Sequence, residues 1–311
     1  MRLVAGASLD GYTEGVTQQL DADATGSNEA LALRIERAWA ANMVAMASAL
    51  AASDPSWRTD TFPLADGHAV LLGAGQYVNR VLAAGLQREV TDADLGRLER
   101  RSATVGVVPA FEVSELTIPS VRGRLLRRRY RPASTTTALA RRICAHEPTL
   151  PPDPTILTEV GVEVSLSDWQ AATAIGWGHV DDAARRTSDA YAAVASRVEH
   201  PGLLLSRSAD DGRVVGCAML SIRDGIATLG AMVTLPGERG RGVQTALTAY
   251  RLRLAADAGC DVATSQASSG ASLRNLRRLR FAVTHTKTTF KRDGRASGDG
   301  GGRSAGSGGA G

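Results

Sequence analysis

The stretch Leu229–Tyr250, LGAMVTLPGERGRGVQTALTAY, decides how this chain reads: an apolar run enters a turn rich in glycine and arginine and leaves it as a helix. Val243, Ala246, Leu247, Tyr250 and Leu254 follow the i, i+3, i+4, i+7, i+11 spacing of one buried helical face, with Leu252 as the main exception. The turn therefore sits at a helix N-terminus. There the first backbone N–H groups lack intrahelical acceptors and carry the positive end of the helix dipole. Gly240 and Gly242 permit unusual backbone angles and close approach, so the segment has the build of a phosphate or pyrophosphate cradle.

Two common phosphate loops do not fit. A dinucleotide loop, GxGxxG, needs glycine where Thr245 stands, and no acidic ribose ligand follows at the expected distance after a second strand. A nucleoside triphosphate loop needs GxxxxGK followed by Ser or Thr, and the chain's only lysines are Lys287 and Lys291. The turn resembles instead the RxxGxG/A signature of the GNAT superfamily of acyl-CoA-dependent N-acetyltransferases, with Arg239 first and Gly242 fourth; Gln244 departs from it at the sixth position. The downstream order is similar to that of the superfamily: Gly259 stops the helix, DVATSQA (Asp261–Ala267) reads as a short strand, and SLRNLRRLRF (Ser272–Phe281) as a closing helix.

The resemblance implies an α/β fold with a mixed central sheet flanked by helices. It also implies that acetyl-CoA or another acyl-CoA lies where the strand after the CoA-binding helix splays from its neighbour. Cofactor contacts would come from Met232, Val233 and Thr234 on the incoming strand, from Arg239, Gly240, Arg241, Gly242, Val243, Gln244 and Thr245 in the loop, and from Ser272 and Asn275 on one face of the closing helix. The implied reaction is direct attack of a small-molecule or peptide amine on the thioester. It needs a deprotonated amine, a donor for the developing oxyanion and a proton for the thiolate. Members of the superfamily often supply that proton from a tyrosine on the closing helix, and here the matching residue is Leu276. Arg280 stands where the superfamily places the glycine of a closing GF or GY. Ser272 and His285 remain as acid or base candidates. In WGHVDD, Trp177, His179 and Asp181 fall where the superfamily builds its acceptor site, although Asp181 and Asp182 read equally well as helix N-caps. Glu238 reads as a solvated neighbour of the loop. A non-catalytic acyl-CoA-binding or sensing protein is the alternative reading.

Composition narrows the remaining classes. A chain of 311 residues with 43% hydrophobic content exceeds one ordinary domain. Its apolar runs, such as Met43–Ala52, fall short of the ~20 residues of a membrane span, and no signal-like segment opens the chain, so a cytoplasmic location is expected. Cys144, Cys217 and Cys260 form no CxxC pair, which argues for small buried side chains and against a metal site. A net charge of +4 is slight, and the arginine clusters Arg122–Arg131 and Arg274–Arg280 carry no interleaved aromatic residues for base stacking. They read as solvated helix faces rather than a nucleic-acid surface, with a contact to the 3′-phosphate of CoA open to the second.

Aligning Arg124–Arg141 with Asn275–Arg292 at an offset of 151 residues matches Leu125 with Leu276, Arg127 with Arg278, Arg129 with Arg280, Thr135 with Thr286, Thr137 with Thr288 and Arg141 with Arg292. The same offset lays Tyr77–Leu86 on the strand before the loop, and sets Thr91 and Ala93 against Gly242 and Gln244. The chain thus reads as two tandem GNAT-like domains of which only the second keeps the glycine turn. The expected organisation is a poorly ordered segment 1–27, a degenerate domain 28–145, a proline-rich linker 146–156, an acyl-CoA-binding domain 157–292 and a disordered glycine-rich tail 293–311. Oligomeric state is left open.

Overall fold

In a computed structural model the chain is described over residues 24–53, 56–76, 78–143, 156–161, 164–179, 181–198, 202–268 and 270–293. Cys144, most of the proline-rich linker and nearly all of the two terminal segments lie outside these residues. The N-terminal half runs α1 (Ala24–Ser53), β1 (Asp60–Leu64), β2 (Gly67–Leu71), β3 (Asn79–Leu82), α2 (Asp92–Val105), β4 (Ala110–Ser114), α3 (Pro119–Arg127) and β5 (Tyr130–Arg142). The C-terminal half runs β6 (Ile156–Val160), α4 (Leu166–Trp177), α5 (Asp182–Ala195), β7 (Gly202–Ser208), β8 (Val214–Arg223), β9 (Ile226–Thr234), α6 (Val243–Asp257), β10 (Val262–Ala267), α7 (Gly270–Arg278) and β11 (Ala282–Arg292).

The expected start of the first domain at residue 28 falls inside α1, which begins at Ala24. Strand β6 ends at Val160, and the Ser165 side chain accepts from the Asp168 N–H to start α4.

The eleven strands among the described residues join one mixed sheet in the order β1-β2-β3-β4-β11-β5-β10-β9-β8-β7-β6. Side chains alternate across it. Met43, Met46 and Leu50 of α1 pack with Trp169 of α4 and Tyr191 of α5 on one face, while α2 with α3 and α6 with α7 cover separate clusters on the other.

The repeat read from the sequence is present in the backbone. Helices α2 and α6 begin at Asp92 and Val243, and α3 and α7 at Pro119 and Gly270, each pair 151 residues apart. Arg129 and Arg280, also 151 apart, both hold left-handed backbone angles, φ +64° and +63°. The position that lacks the expected glycine thus keeps a glycine-like conformation, at a cost of about 1 kcal/mol for an L side chain.

What the sequence did not disclose is that each half lends its last strand to the other. Strand β11 pairs with β4 and β5, and β5 pairs with β11 and β10; among the described residues β4 does not pair with β5, nor β10 with β11. At the centre of the β5–β11 ladder Lys287 faces Thr136, its own counterpart in the repeat.

A buried charge cluster sits on this seam. Lys287 Nζ lies 2.8 Å from Glu112 Oε1 on β4 and 3.1 Å from Glu36 Oε1 on α1, and His285 Nε2 lies 2.9 Å from the same Glu36 oxygen. Burial pushes the Glu36 pKa up, but Lys287 and His285 more than offset that and hold it below the ordinary carboxylate range. Burial likewise pushes Lys287 down, and Glu112 and Glu36 bring it above the ordinary lysine value. The depressed carboxylate stabilises the fold above its unfolded pKa of about 4.3 and loses that contribution as pH falls through the folded value. The raised ammonium contributes below about 10.4 and is lost as pH climbs through its folded value.

Three outcomes are expected. Residues 156–293 expressed alone will not give a folded monomer in size-exclusion chromatography and circular dichroism, since β10 and β11 would each lack β5; a cooperative monomeric melt would refute this. Arg280→Gly will raise stability by about 0.5–1 kcal/mol in urea titration by relieving the left-handed arginine. Glu36→Gln will cost about 3 kcal/mol at pH 7 by leaving Lys287 underpaired, and will flatten the acid limb of the pH–stability curve.

Candidate functional site

Strands β9 and β10 pair in parallel only over Ile226–Thr228 with Val262–Thr264, after which they diverge. The last backbone carbonyl on that side to be reached from β10 is Leu229 O, held by the Ser265 hydroxyl at 2.9 Å rather than by a backbone N–H. On its other edge β9 pairs with β8, and Leu235 N donates to Val215 O just beyond it. Alternation along the strand therefore turns the N–H groups of Met232 and Thr234 toward the opening. The Thr234 hydroxyl is buried without a hydrogen-bond partner.

The β8–β9 register breaks between Cys217 and Met219, so that Ala218 faces both Ala231 and Met232. This is a one-residue bulge, with Ala231 at φ +45°, where an L side chain costs about 1–2 kcal/mol. Two side chains capture carbonyls around it. Trp169 Nε1 donates to Ala218 O at 3.1 Å, and Arg251 Nη1 donates to Met219 O at 3.2 Å and Gly230 O at 3.3 Å.

After β9, a short turn of 3₁₀ helix (Pro236–Glu238) leads into the loop. Glu238 is not solvated as expected: it is 9% exposed, with Arg213 Nη2 at 3.0 Å and Arg241 Nη1 at 2.9 Å. Those two arginines cover it and so fix the base of the loop. The α6 N-cap is Gly242, at φ +82°, with no side-chain cap bond and no acidic residue in the first turn. Gly216 lets this end of the helix reach the sheet, since a Cβ there would lie 2.8 Å from Val243 Cγ1.

The repeat provides a comparison within the molecule. Thr91, the counterpart of Gly242, caps α2 by accepting from Asp94 N at 3.1 Å, while Asp94 Oδ2 accepts from Thr91 N at 3.0 Å. With Asp92 and Asp94 in its first turn, α2 satisfies its own N-terminus and repels an anion. The corresponding end of α6 is left open.

Other residues singled out in the sequence take definite places. Asn275 Nδ2 donates to Gln244 Oε1 at 2.6 Å, tying α7 to the first turn of α6 and giving the departing sixth residue of the motif a role. Ser272 is half-buried on α7, and Leu276 is buried in the apolar cluster beneath α6 and α7. His285 is buried on β11, separated from β9 by β5 and β10, with its ring held by Glu36 and by Thr284 Oγ1 at 3.1 Å. Trp177 stacks edge-on against Tyr191, ring centroids 5.3 Å apart, and His179 Nδ1 pairs with the Ser188 hydroxyl. These residues stand beside the end of β9, for a Cβ on Gly176 would lie 2.2 Å from Val233 Cγ1. Asp181 caps α5, accepting from Ala184 N at 2.8 Å. From the N-terminal half, Gly75 O accepts from Thr187 Oγ1 of α5 at 2.8 Å, bringing that half's 73–76 loop against the same region.

The helical face was read about one residue out of phase. Tyr250, Leu254 and Ala246 are only half-buried, whereas the buried stripe is Val243, Leu247, Thr248, Arg251, Leu252 and Ala255. An arginine counts against burial in any apolar periodicity, so Arg251 escaped notice; the threonine three residues before it was the available sign of a buried polar pair. Cys217 and Cys260 are buried free thiols, and burial pushes Cys217 up to about 12. In the first arginine cluster Arg124 lies 3.1 Å from Asp92 and Arg128 2.7 Å from Glu99. Among the described residues no group of acidic, histidine or cysteine side chains could hold a metal, and no helix is long and apolar enough to cross a membrane.

Residues 165–280 match the sequence model of the Acetyltransferase (GNAT) family. No curated protein matches the chain in sequence. Among solved structures the fold is similar to a GCN5-related N-acetyltransferase from Kribbella flavida (19% identity, 83% of this chain and 96% of that one, TM-score 0.57). It is also similar to a tandem GNAT protein from the clavulanic acid biosynthesis pathway (13% identity, 72% and 78%, TM-score 0.53). A functionally unknown conserved protein from Staphylococcus epidermidis aligns at 11% identity over 78% and 96% with a TM-score of 0.55. At these identities the likeness is one of fold, and the tandem neighbour agrees with the internal repeat.

Proposed function

We propose, from the premise that residues 165–280 belong to the GNAT acetyltransferase family, that the C-terminal half binds acetyl-CoA or another acyl-CoA and passes the acyl group to a small-molecule or peptide amine. The observation that carries this reading is the contrast between two equivalent helix ends. The α2 end is closed by Thr91 and Asp94, and the α6 end at Gly242 is uncapped, has no acid in its first turn and follows Arg239 and Arg241, the latter paired with Glu238. An anionic diphosphate fits the second and is rejected by the first.

On this reading the N–H groups of Val243, Gln244 and Thr245 hold the diphosphate, while Arg239 and Arg241 add charge and Asn275 and Ser272 fix the adjoining helix. The thioester supplies the activated carbonyl. The edge of β9 at Met232–Thr234 offers N–H groups to the pantetheine and to the carbonyl oxygen, and the unpartnered Thr234 hydroxyl is a further donor there. Trp177, His179 and the 73–76 loop bound the acceptor side. The N-terminal half then serves as a partner that completes the sheet and shapes this side without a cofactor loop of its own.

A sensing role without catalysis is the second reading. It is favoured by the burial of Leu276 among apolar neighbours, which puts no hydroxyl where the family often draws a proton.

Isothermal titration with acetyl-CoA tests both readings, and absence of binding by the folded protein defeats both. Release of free thiol across a panel of amines then separates transferase from sensor. Gly242→Asp, which adds a carboxylate and forces an L side chain into φ +82°, is expected to reduce CoA affinity at least about a hundredfold. Wild-type affinity in that variant would reduce the loop to an ordinary turn.

A further inference from the structure

We infer that Arg251 is a positioning residue for acyl transfer: its guanidinium, buried beneath the sheet, holds the β9 bulge so that the Met232–Thr234 edge faces the opening between β9 and β10. The inference rests on the reading of that edge as the thioester site.

Arg251 is 2% exposed, and the contacts the structure gives its guanidinium are all to neutral groups. Nη1 donates to Met219 O and Gly230 O, on the two strands at one end of the register break, and Nη2 reaches Met232 Sδ at 3.5 Å and Thr248 Oγ1 at 3.3 Å. Nε donates to Leu247 O at 3.2 Å in its own helix. One planar group thus bridges α6, β8 and β9, and spans from Gly230 before the bulge to Met232 within it.

Chemistry explains why an arginine stands there. A bulge turns carbonyls out of the ladder, and in a buried setting each must find a donor. A leucine or methionine would fill the space and leave Met219 O and Gly230 O without Arg251. Lysine could reach one of them but has no rigid fork to span both. Burial lowers the Arg251 pKa to about 9, so the group still carries its charge at neutral pH. A fixed positive charge beneath the strand that would receive a developing oxyanion also favours that charge.

The repeat again supplies the comparison. Arg100, 151 residues before Arg251, is exposed on α2, and β2 pairs with β3 without a register break. Bulge and buried arginine occur together in the half with the open cradle; among the described residues of the other half the β2–β3 pairing has no register break and the equivalent Arg100 is exposed.

The test begins on the wild-type protein. In ¹⁵N-labelled protein the Arg251 guanidinium protons should exchange with water about a hundredfold more slowly than those of the exposed Arg277; equal rates overturn the inference. Arg251→Met and Arg251→Lys are then compared. Amide exchange at Met232 and Val233 should rise about tenfold in the unliganded variants, with β7 and β10 unchanged. Titration should show CoA still bound but about threefold to tenfold more weakly, because the diphosphate loop is retained while the edge that meets the pantetheine is loosened. The infrared carbonyl stretch of bound acetyl-CoA should move back toward its position in water. Uniformly faster exchange through the whole sheet would mark Arg251 as merely structural and overturn the proposal. Unchanged exchange and stretch, with acetyl-CoA bound, would overturn the role of Arg251 alone. Failure of the wild type to bind acetyl-CoA would remove the acyl-CoA reading of the edge and this inference with it. If neither variant folds, the wild-type guanidinium exchange decides.

Discussion

The antiparallel pairing of β5 with β11 is the constraint on which the rest of the structure depends. Each of these strands closes the half it does not belong to, so the sheet that carries the splayed β9 and β10 is complete only when both halves are present. The ladder runs from Ala282–Ala140 to Arg292–Tyr130, long enough to hold the halves in one register. Its centre carries the asymmetry. Thr136 and Lys287 occupy equivalent positions, yet only the lysine reaches two buried glutamates, one on α1 and one on β4. A buried ion pair of this kind adds little net stability against apolar packing, but it penalises any other pairing that would strand its members.

On this common frame two local differences separate the cofactor end of one half from the equivalent end of the other. At the helix that follows β3 or β9, the exchange of Gly242 for Thr91 replaces a free set of N–H donors with a capping box. At the strand before it, a one-residue bulge in β9 has no counterpart in the β2–β3 pairing. Backbone shape is otherwise retained closely enough for Arg129 and Arg280 to share a left-handed angle.

Much of this was legible in the sequence, and the parts that were not have physical reasons. The β9 strand over Ile226–Thr234, the loop and the start of α6 followed from apolar patterning and glycine placement, which are local properties. The offset between the halves was visible because side chains at β5 and β11 meet equivalent neighbours. Strand exchange was not, since a strand's own residues specify which face is buried but not which neighbour donates to its edge. Arg251 and the Glu36–His285–Lys287–Glu112 cluster were hidden for a related reason: polar residues at core positions interrupt the periodicity that identifies a core, and the cluster's ion-pair partners lie too far apart in sequence to register in any local window. His285 drew attention as a lone titratable group in the sequence; the fold spends it on Glu36 instead.

The capping box at Thr91 also bears on how readily the two halves could trade roles over evolutionary time. Restoring glycine at that position would free one donor but leave Asp92 and Asp94 in the first turn, facing any incoming diphosphate. Replacing the aspartates alone would leave a threonine closing the helix. No single substitution opens that end to a diphosphate, so the two halves could trade roles only through several coordinated changes.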